Sequence, residues 1–313
     1  MLPLLALGAA GCGDSGDDGG EAAPPPAEAE DFPDPAGKTI AELRDEVGPG
    51  GPVLSPSVSL LEPGRNRVGF GLFDRAREQI VDAPAALYVA PLEGGRVRGP
   101  FPARYESLQV KPQFRSEGVE ADPDAASSVY VANVRFGEPG DYELLGVVEL
   151  DHNLTAAERV AVRVVEDGPV PEPGEPAIEV STPTKADVGG NVEAIDTRVP
   201  PGTMHDADLA DVLGVKPVML LFATPALCAS RVCGPVVDIA EQVKAEHDGD
   251  AEFIHMEIYN ENELDMGFRE QVLAWKLPTE PWVFTIDREG RVAARLEGAF
   301  SARELEAAVA RAE

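Results

Sequence analysis

Cysteine is nearly absent from this chain: three in 313 residues, at positions 12, 228 and 233. Nothing between residues 13 and 227 can therefore be held by disulfides, and any core there must hold by packing. Basic residues are scarce too, with 26 lysines and arginines against 56 aspartates and glutamates, a formal charge of −30. No cluster of lysine or arginine offers a local exception, so the surface repels phosphate backbones and nucleic acid is excluded as a partner. A membrane-spanning run is missing as well. The apolar start, residues 1–10 (MLPLLALGAA), covers about half of a bilayer's hydrocarbon thickness at about 1.5 Å per residue. His152 has no cysteine or second histidine near it with which to build a metal site. What the chain does have is 43% hydrophobic residues and a length beyond the needs of one domain, which together imply two domains with linkers.

Residues 1–12 read as a secretion signal. The run Ala9-Ala10-Gly11-Cys12 resembles a bacterial lipobox, which implies lipidation of Cys12 and an extracytoplasmic protein anchored to the cell membrane. Residues 13–52 begin with Asp14, Asp17, Asp18, Glu21, Glu28, Glu30, Asp31 and Asp34 and the run Pro24-Pro25-Pro26. Such a composition buries little apolar surface and reads as a disordered acidic tether.

Residues 53–166 alternate short β-branched runs with Gly, Pro and Asp. Strands are expected over 57–61, 66–73, 86–90, 107–111, 128–136, 142–150 and 159–165. Seven strands suggest an antiparallel sandwich. The stretch Glu138-Pro139-Gly140-Asp141-Tyr142 resembles the start of a late strand in immunoglobulin-like domains. This domain reads as a spacer or a partner-binding module. Four prolines in 167–176 mark a linker over 167–177. The remainder, 178–313, is a second domain, entered through an irregular approach segment over 191–205.

That second domain carries the chemistry. A buried central strand is expected over 218–222, a helix over 236–246, a strand over 253–258, a helix over 264–275, and a hairpin over 282–286 and 291–296. Ser301 with Glu304 makes a capping box for a final helix. Strands alternating with helices and then an antiparallel pair imply a mixed sheet covered on both faces. The stretch from Phe222 through Thr224, Pro225, Cys228, Cys233 and Gly234 to Pro235 resembles the active-site segment of the thioredoxin superfamily. The stretch from Glu280-Pro281-Trp282 to Gly290-Arg291-Val292 resembles a block of membrane-anchored thioredoxin-like reductases. The expected fold class is thus a two-domain α+β chain, an all-β immunoglobulin-like sandwich followed by an α/β thioredoxin fold. The resemblance implies that Pro281 is a cis-proline facing the cysteines, and that Thr279, Glu280 and Trp282 line a groove for a partner strand.

Those reductases carry Cys-x2-Cys, whereas this chain has Cys-x4-Cys. Residues five apart on a continuous helix are about 8–9 Å apart at Cα and on different faces, beyond the roughly 7 Å that a disulfide allows. The pair can bridge only if Cys228 precedes the helix or the first turn unwinds. A helix N-terminus stabilises a thiolate, so Cys228 is expected to be the nucleophile and Cys233 the resolving thiol. The resemblance of Cys233-Gly234-Pro235-Val236 to Cys-Gly-Pro-Cys leaves the reverse assignment open. The expected function is thiol–disulfide exchange with protein disulfides or dithiols outside the cytoplasm, with no cofactor and no metal. Three alternatives stand beside it. The first is a binding lipoprotein with a structural disulfide. The second is a peroxiredoxin of the bacterioferritin-comigratory kind, with Arg231, Arg269 or Arg295 polarising the peroxide. The third is a Sco-type copper chaperone drawing on His205, His247 or His255, with Met204 and Met256 alongside.

Overall fold

The structure is a computed structural model that describes residues 27–48 and 50–313. Cys12 and the signal sequence lie outside the described residues. The chain is a mixed α/β protein with more strand than helix.

Residues 27–47 differ from the disordered tether that their charge suggests. Thr39 caps helix α1 (Ile40–Val47), its hydroxyl accepting from the Glu42 amide at 3.2 Å while the Glu42 carboxylate accepts from the Thr39 amide at 2.8 Å. Ile40 and Leu43, three apart, share one helical face. They are buried with Phe32 against Ala86, Tyr88 and Leu145. Average composition hid this because three apolar side chains, correctly spaced, dock an otherwise acidic segment.

The next eight strands are β1 (Val53–Pro56), β2 (Gly64–Phe73), β3 (Ala85–Pro91), β4 (Arg98–Ser107), β5 (Ser128–Phe136), β6 (Gly140–Leu150), β7 (Asn153–Ala156) and β8 (Val160–Val164), with helix α2 (Glu117–Ala121) between β4 and β5. They form one antiparallel ladder in the order β1-β2-β5-β4-β3-β6-β7, with β8 also on β6. A sandwich would divide these strands between two sheets. Here the single sheet curls until its ends meet: the Gly51 amide donates to the Ala156 carbonyl, the Glu158 amide to the Pro52 carbonyl, and Leu61 bridges Val164. Phe70, Leu87, Tyr130, Val134 and Leu144 fill the inside of the curl, while α1 covers part of the outside. The expected strand over 107–111 is β4 ending at Ser107 instead. Pro100 and Pro102 masked it, but they lie where β4 has β3 as its ladder partner and β5 has not yet joined. There a missing amide donor need not break pairing on both sides.

Residues 167–177 are more than a linker. Val170 is buried, the Gly174 amide donates to the Val292 carbonyl at 2.8 Å, and the Val292 amide returns a bond to Glu175 at 2.9 Å. The C-terminal part then holds α3 (Leu209–Val212), β9 (Val218–Phe222), α4 (Cys233–Glu246), β10 (Glu252–Met256), α5 (Glu270–Ala274), β11 (Trp282–Ile286), β12 (Val292–Glu297) and α6 (Ala302–Val309). The sheet order is β10-β9-β11-β12, with β10 parallel to β9 and the rest antiparallel. Every residue of β9 and β11 is buried, as expected of central strands covered on both faces. The helix expected over 264–275 is broken: a short 3-10 turn ends at Gly267, whose φ of 72° no helix continues, and α5 starts afresh at Glu270.

The two sheets share a core. Leu108, Val129 and Val131 from the curled sheet pack with Met219, Leu221, Cys233 and Val236. Around this seam Arg67 grips Glu304 through two bonds of 2.8 and 2.7 Å and also donates to the Ala299 carbonyl. Glu297 accepts from the amides of Ser59 and Leu60, and Glu106 accepts from Ser301 and Arg303. Gly298, at φ 74°, lies so close to the Ser57 carbonyl that no β-carbon fits. The curled sheet is therefore built into the second domain and does not stand off as a spacer.

Candidate active site

β9 ends at Phe222 and α4 begins at Cys233, so the intervening residues 223–232 form a loop with Cys228 near its middle. Two turns shape it: the Leu227 amide donates to the Thr224 carbonyl, and the Arg231 amide to the Cys228 carbonyl, both at 3.3 Å. Arg231 takes a left-handed φ of 57° to turn the chain into the helix. Cys228 thus precedes the helix, which meets the condition set by the Cys-x4-Cys spacing. Neighbours anchor the loop on both sides. The Ala226 amide donates to the Thr197 hydroxyl at 3.0 Å. Arg231 is ion-paired with Asp122 and Asp124 of the curled-sheet region, and its carbonyl accepts from Ala126 at 3.2 Å.

The two thiols are unlike. Cys228 is half-buried with its Sγ 3.2 Å from the Ser230 hydroxyl. Its pKa is drawn down to about 5, first by hydrogen bonding from the Cys233 thiol, against the cost of burial, and then by Ser230 and the amides of Cys233 and Val232 at the start of α4. Cys233 is wholly buried in the shared core, and burial first, then the neighbouring Cys228, push its thiol well up. The arrangement stores a thiolate at Cys228 and a proton at Cys233.

Pro281 is buried, follows Glu280 through a cis peptide, and accepts from the Gly298 amide at 2.9 Å. The neighbouring Glu280 carboxyl is raised by burial and then by the Cys228 charge, which puts it electrostatically within reach of the thiols. Tyr259 is raised by burial and then by Glu280 and both cysteines. Thr279 is exposed, donates to Glu297 at 2.7 Å and accepts from the Trp282 indole at 3.2 Å. Trp282 corrects the groove expected over these residues. It opens central strand β11, is 2% exposed and stacks on Phe284 at 5.7 Å, so it belongs to the core and lines no open surface.

The residues behind the alternative readings are held by other partners. Arg231 is held by Asp122, Arg295 by Glu62, and Arg269 by the carbonyl of Tyr259 and the side chain of Asn262. His247 pairs with Glu313 at 3.0 Å, and Met204 and Met256 belong to different cores. His205 and His255 do meet, with Asp196, which the sequence did not single out. Sequence reasoning also missed Ser230 and the Asp122–Arg231 pair. Ser230 could have been found from its position between the cysteines, whereas a contact spanning more than a hundred residues leaves no local signal.

No known protein family and no curated protein matches the sequence. Among solved structures, a thiol:disulfide interchange protein of the thioredoxin family from Chlorobium tepidum aligns with 47% of this chain and 99% of its own, at 16% identity and a TM-score of 0.29.

Proposed function

We propose that this chain is a thiol–disulfide oxidoreductase that works outside the cytoplasm, tethered by a lipid on Cys12, with Cys228 as nucleophile and Cys233 as resolving thiol. The observation that carries the reading is the asymmetry of the pair: a half-buried Cys228 whose pKa is drawn down to about 5 beside a fully buried Cys233 whose thiol is pushed up. That is the division of labour that exchange requires. The Cys228 thiolate attacks a partner disulfide, forming a mixed disulfide and expelling one partner thiolate, which takes a proton from solvent. Cys233 then gives up its proton and attacks the Cys228 sulfur. The second partner thiol leaves, the partner has gained two electrons, and the Cys228–Cys233 disulfide has formed; the reverse sequence oxidises a partner dithiol.

The test uses the full chain in insulin reduction with dithiothreitol, together with a glutathione titration of the pair. Cys228→Ser is expected to abolish turnover, Cys233→Ser to accumulate a mixed disulfide at Cys228, and the potential to fall between about −120 and −270 mV. Turnover that survives in Cys228→Ser removes Cys228 from the role.

A further inference from the structure

Asp196, His205 and His255 converge from the approach segment and from β10, each at most 3% exposed, with one ligand-capable atom per residue within 4.8 Å of the others. His205 Nε2 is 3.0 Å from Asp196 Oδ2, and His255 Nδ1 is 3.7 Å from Asp196 Oδ1. The second separation is too long for a good hydrogen bond. His255 Nδ1 is moreover a buried atom with no hydrogen-bond partner. Its other nitrogen, Nε2, lies 3.1 Å from the Ala223 carbonyl. A carbonyl only accepts, so Nε2 carries the hydrogen, and in the neutral ring Nδ1 is then a bare lone pair. It faces a carboxylate, another acceptor.

Two acceptors do not face one another in a dry interior, so either a proton on Nδ1 or a cation lies between them. Asp196 has no lysine or arginine ion partner among the described residues: the Arg198 backbone amide reaches it, but the Arg198 guanidinium goes to Asp238. Glu257, in the same buried region, leaves one carboxylate oxygen unpaired. A second partner that fixes the ring of a histidine ligand is a regular feature of metal sites, and the Ala223 carbonyl supplies one. We propose that Asp196, His205 and His255 bind a divalent ion of the Zn²⁺ class that staples the approach segment to β10. The bond from His255 to Ala223, one residue before Thr224, joins this staple to the start of the cysteine loop. Ion binding is coupled to folding, since the ligands meet only in the folded chain.

The site is tested without the thiols. The full chain carrying Cys228→Ser and Cys233→Ser is unfolded with chelator, refolded with ZnCl₂ or CoCl₂, and gel-filtered before metal counting. About one equivalent of zinc per chain, and a cobalt absorption spectrum of tetrahedral type with nitrogen and oxygen ligands, are expected. His255→Gln, its fold verified by circular dichroism, is expected to weaken binding on the order of a hundredfold. Should that variant fail to fold, the cobalt spectrum of the parent still decides. Zinc at background level in the parent, binding unchanged in a folded His255→Gln, or a nitrogen NMR signature of protonated His255 Nδ1 in excess zinc would each overturn the proposal. The last result would make a proton the occupant. None of these outcomes depends on whether the cysteines exchange disulfides.

Discussion

The pH dependence of Cys228 alkylation can be worked out in advance. A thiol with pKa about 5 in place of the ordinary 9.0 is almost wholly thiolate at pH 7, where an ordinary thiol is ionised to about 1%. The hundredfold gain in thiolate is nearly cancelled, because nucleophilicity falls with pKa at a slope of about 0.4–0.5, costing about 60-fold over four units. At pH 7 the rate alone therefore discriminates poorly. At pH 5 Cys228 is still half ionised while the ordinary thiol is down to about one part in ten thousand, and Cys228 should react roughly 80-fold faster. Iodoacetamide labelling of the reduced full chain between pH 3.5 and 9.5, read by mass spectrometry, should give a plateau above pH 6 and a midpoint near 5. Cys233→Ala removes the largest stabilising contact and should raise that midpoint by a unit or more, with Ser230→Ala raising it less. A midpoint at 7.5 or above, or one that Cys233→Ala leaves in place, refutes the account of the thiolate. Linkage sets a further sign. A thiol pKa lowered on folding contributes stability that is complete above pH 9 and lost as pH falls through 5. The stability advantage of reduced wild type over Cys228→Ser should therefore grow as pH rises from 5 to 9.

The docked N-terminal helix and the domain seam each make a prediction. Leu43→Ala deletes a fully buried side chain of α1 and should cost about 2–4 kcal/mol in urea unfolding if the helix unfolds with the sheet; a change below about 0.5 kcal/mol would mean that the segment is the tether its charge suggests. Arg67→Met leaves Glu304, which is only 10% exposed, with Arg104 at 3.7 Å as its remaining cation and should cost about 2–3 kcal/mol, with Arg67→Met/Glu304→Leu recovering much of the loss; no recovery in the double variant would place the cost elsewhere.

Local patterns were readable and long-range ones were not. Residues 218–222 and 282–286 announce central strands as unbroken apolar runs. Ser128–Phe136 shows as β-branched alternation, and Ser301 with Glu304 marks the start of the last helix, as found. Each signal lies within a dozen residues. The sheet's curl was hidden because it rests on Gly51 meeting Ala156 and Leu61 meeting Val164, pairings a hundred residues apart. β7, four residues long, gave too short a pattern to separate from a turn. At the candidate site the cysteines and the Glu280-Pro281 turn were visible as motifs. Asp196 was not, since one aspartate among many acidic residues acquires meaning only when two distant histidines fold onto it.

The shared core also sets an order of events during synthesis. The curled sheet leaves the ribosome first, and an N-terminal domain generally folds before the rest is made. Its outer face, with Leu108, Val129 and Val131, is covered by Met219, Leu221 and Val236 and, last, by Phe300 and Leu305. Phe300 lies 136 residues beyond Val164, the last residue of the curled sheet, and is not yet made when that sheet is complete. The half-made protein thus carries an apolar face that its own later strands and helices close in stages, and the core of the first sheet is finished only by the second.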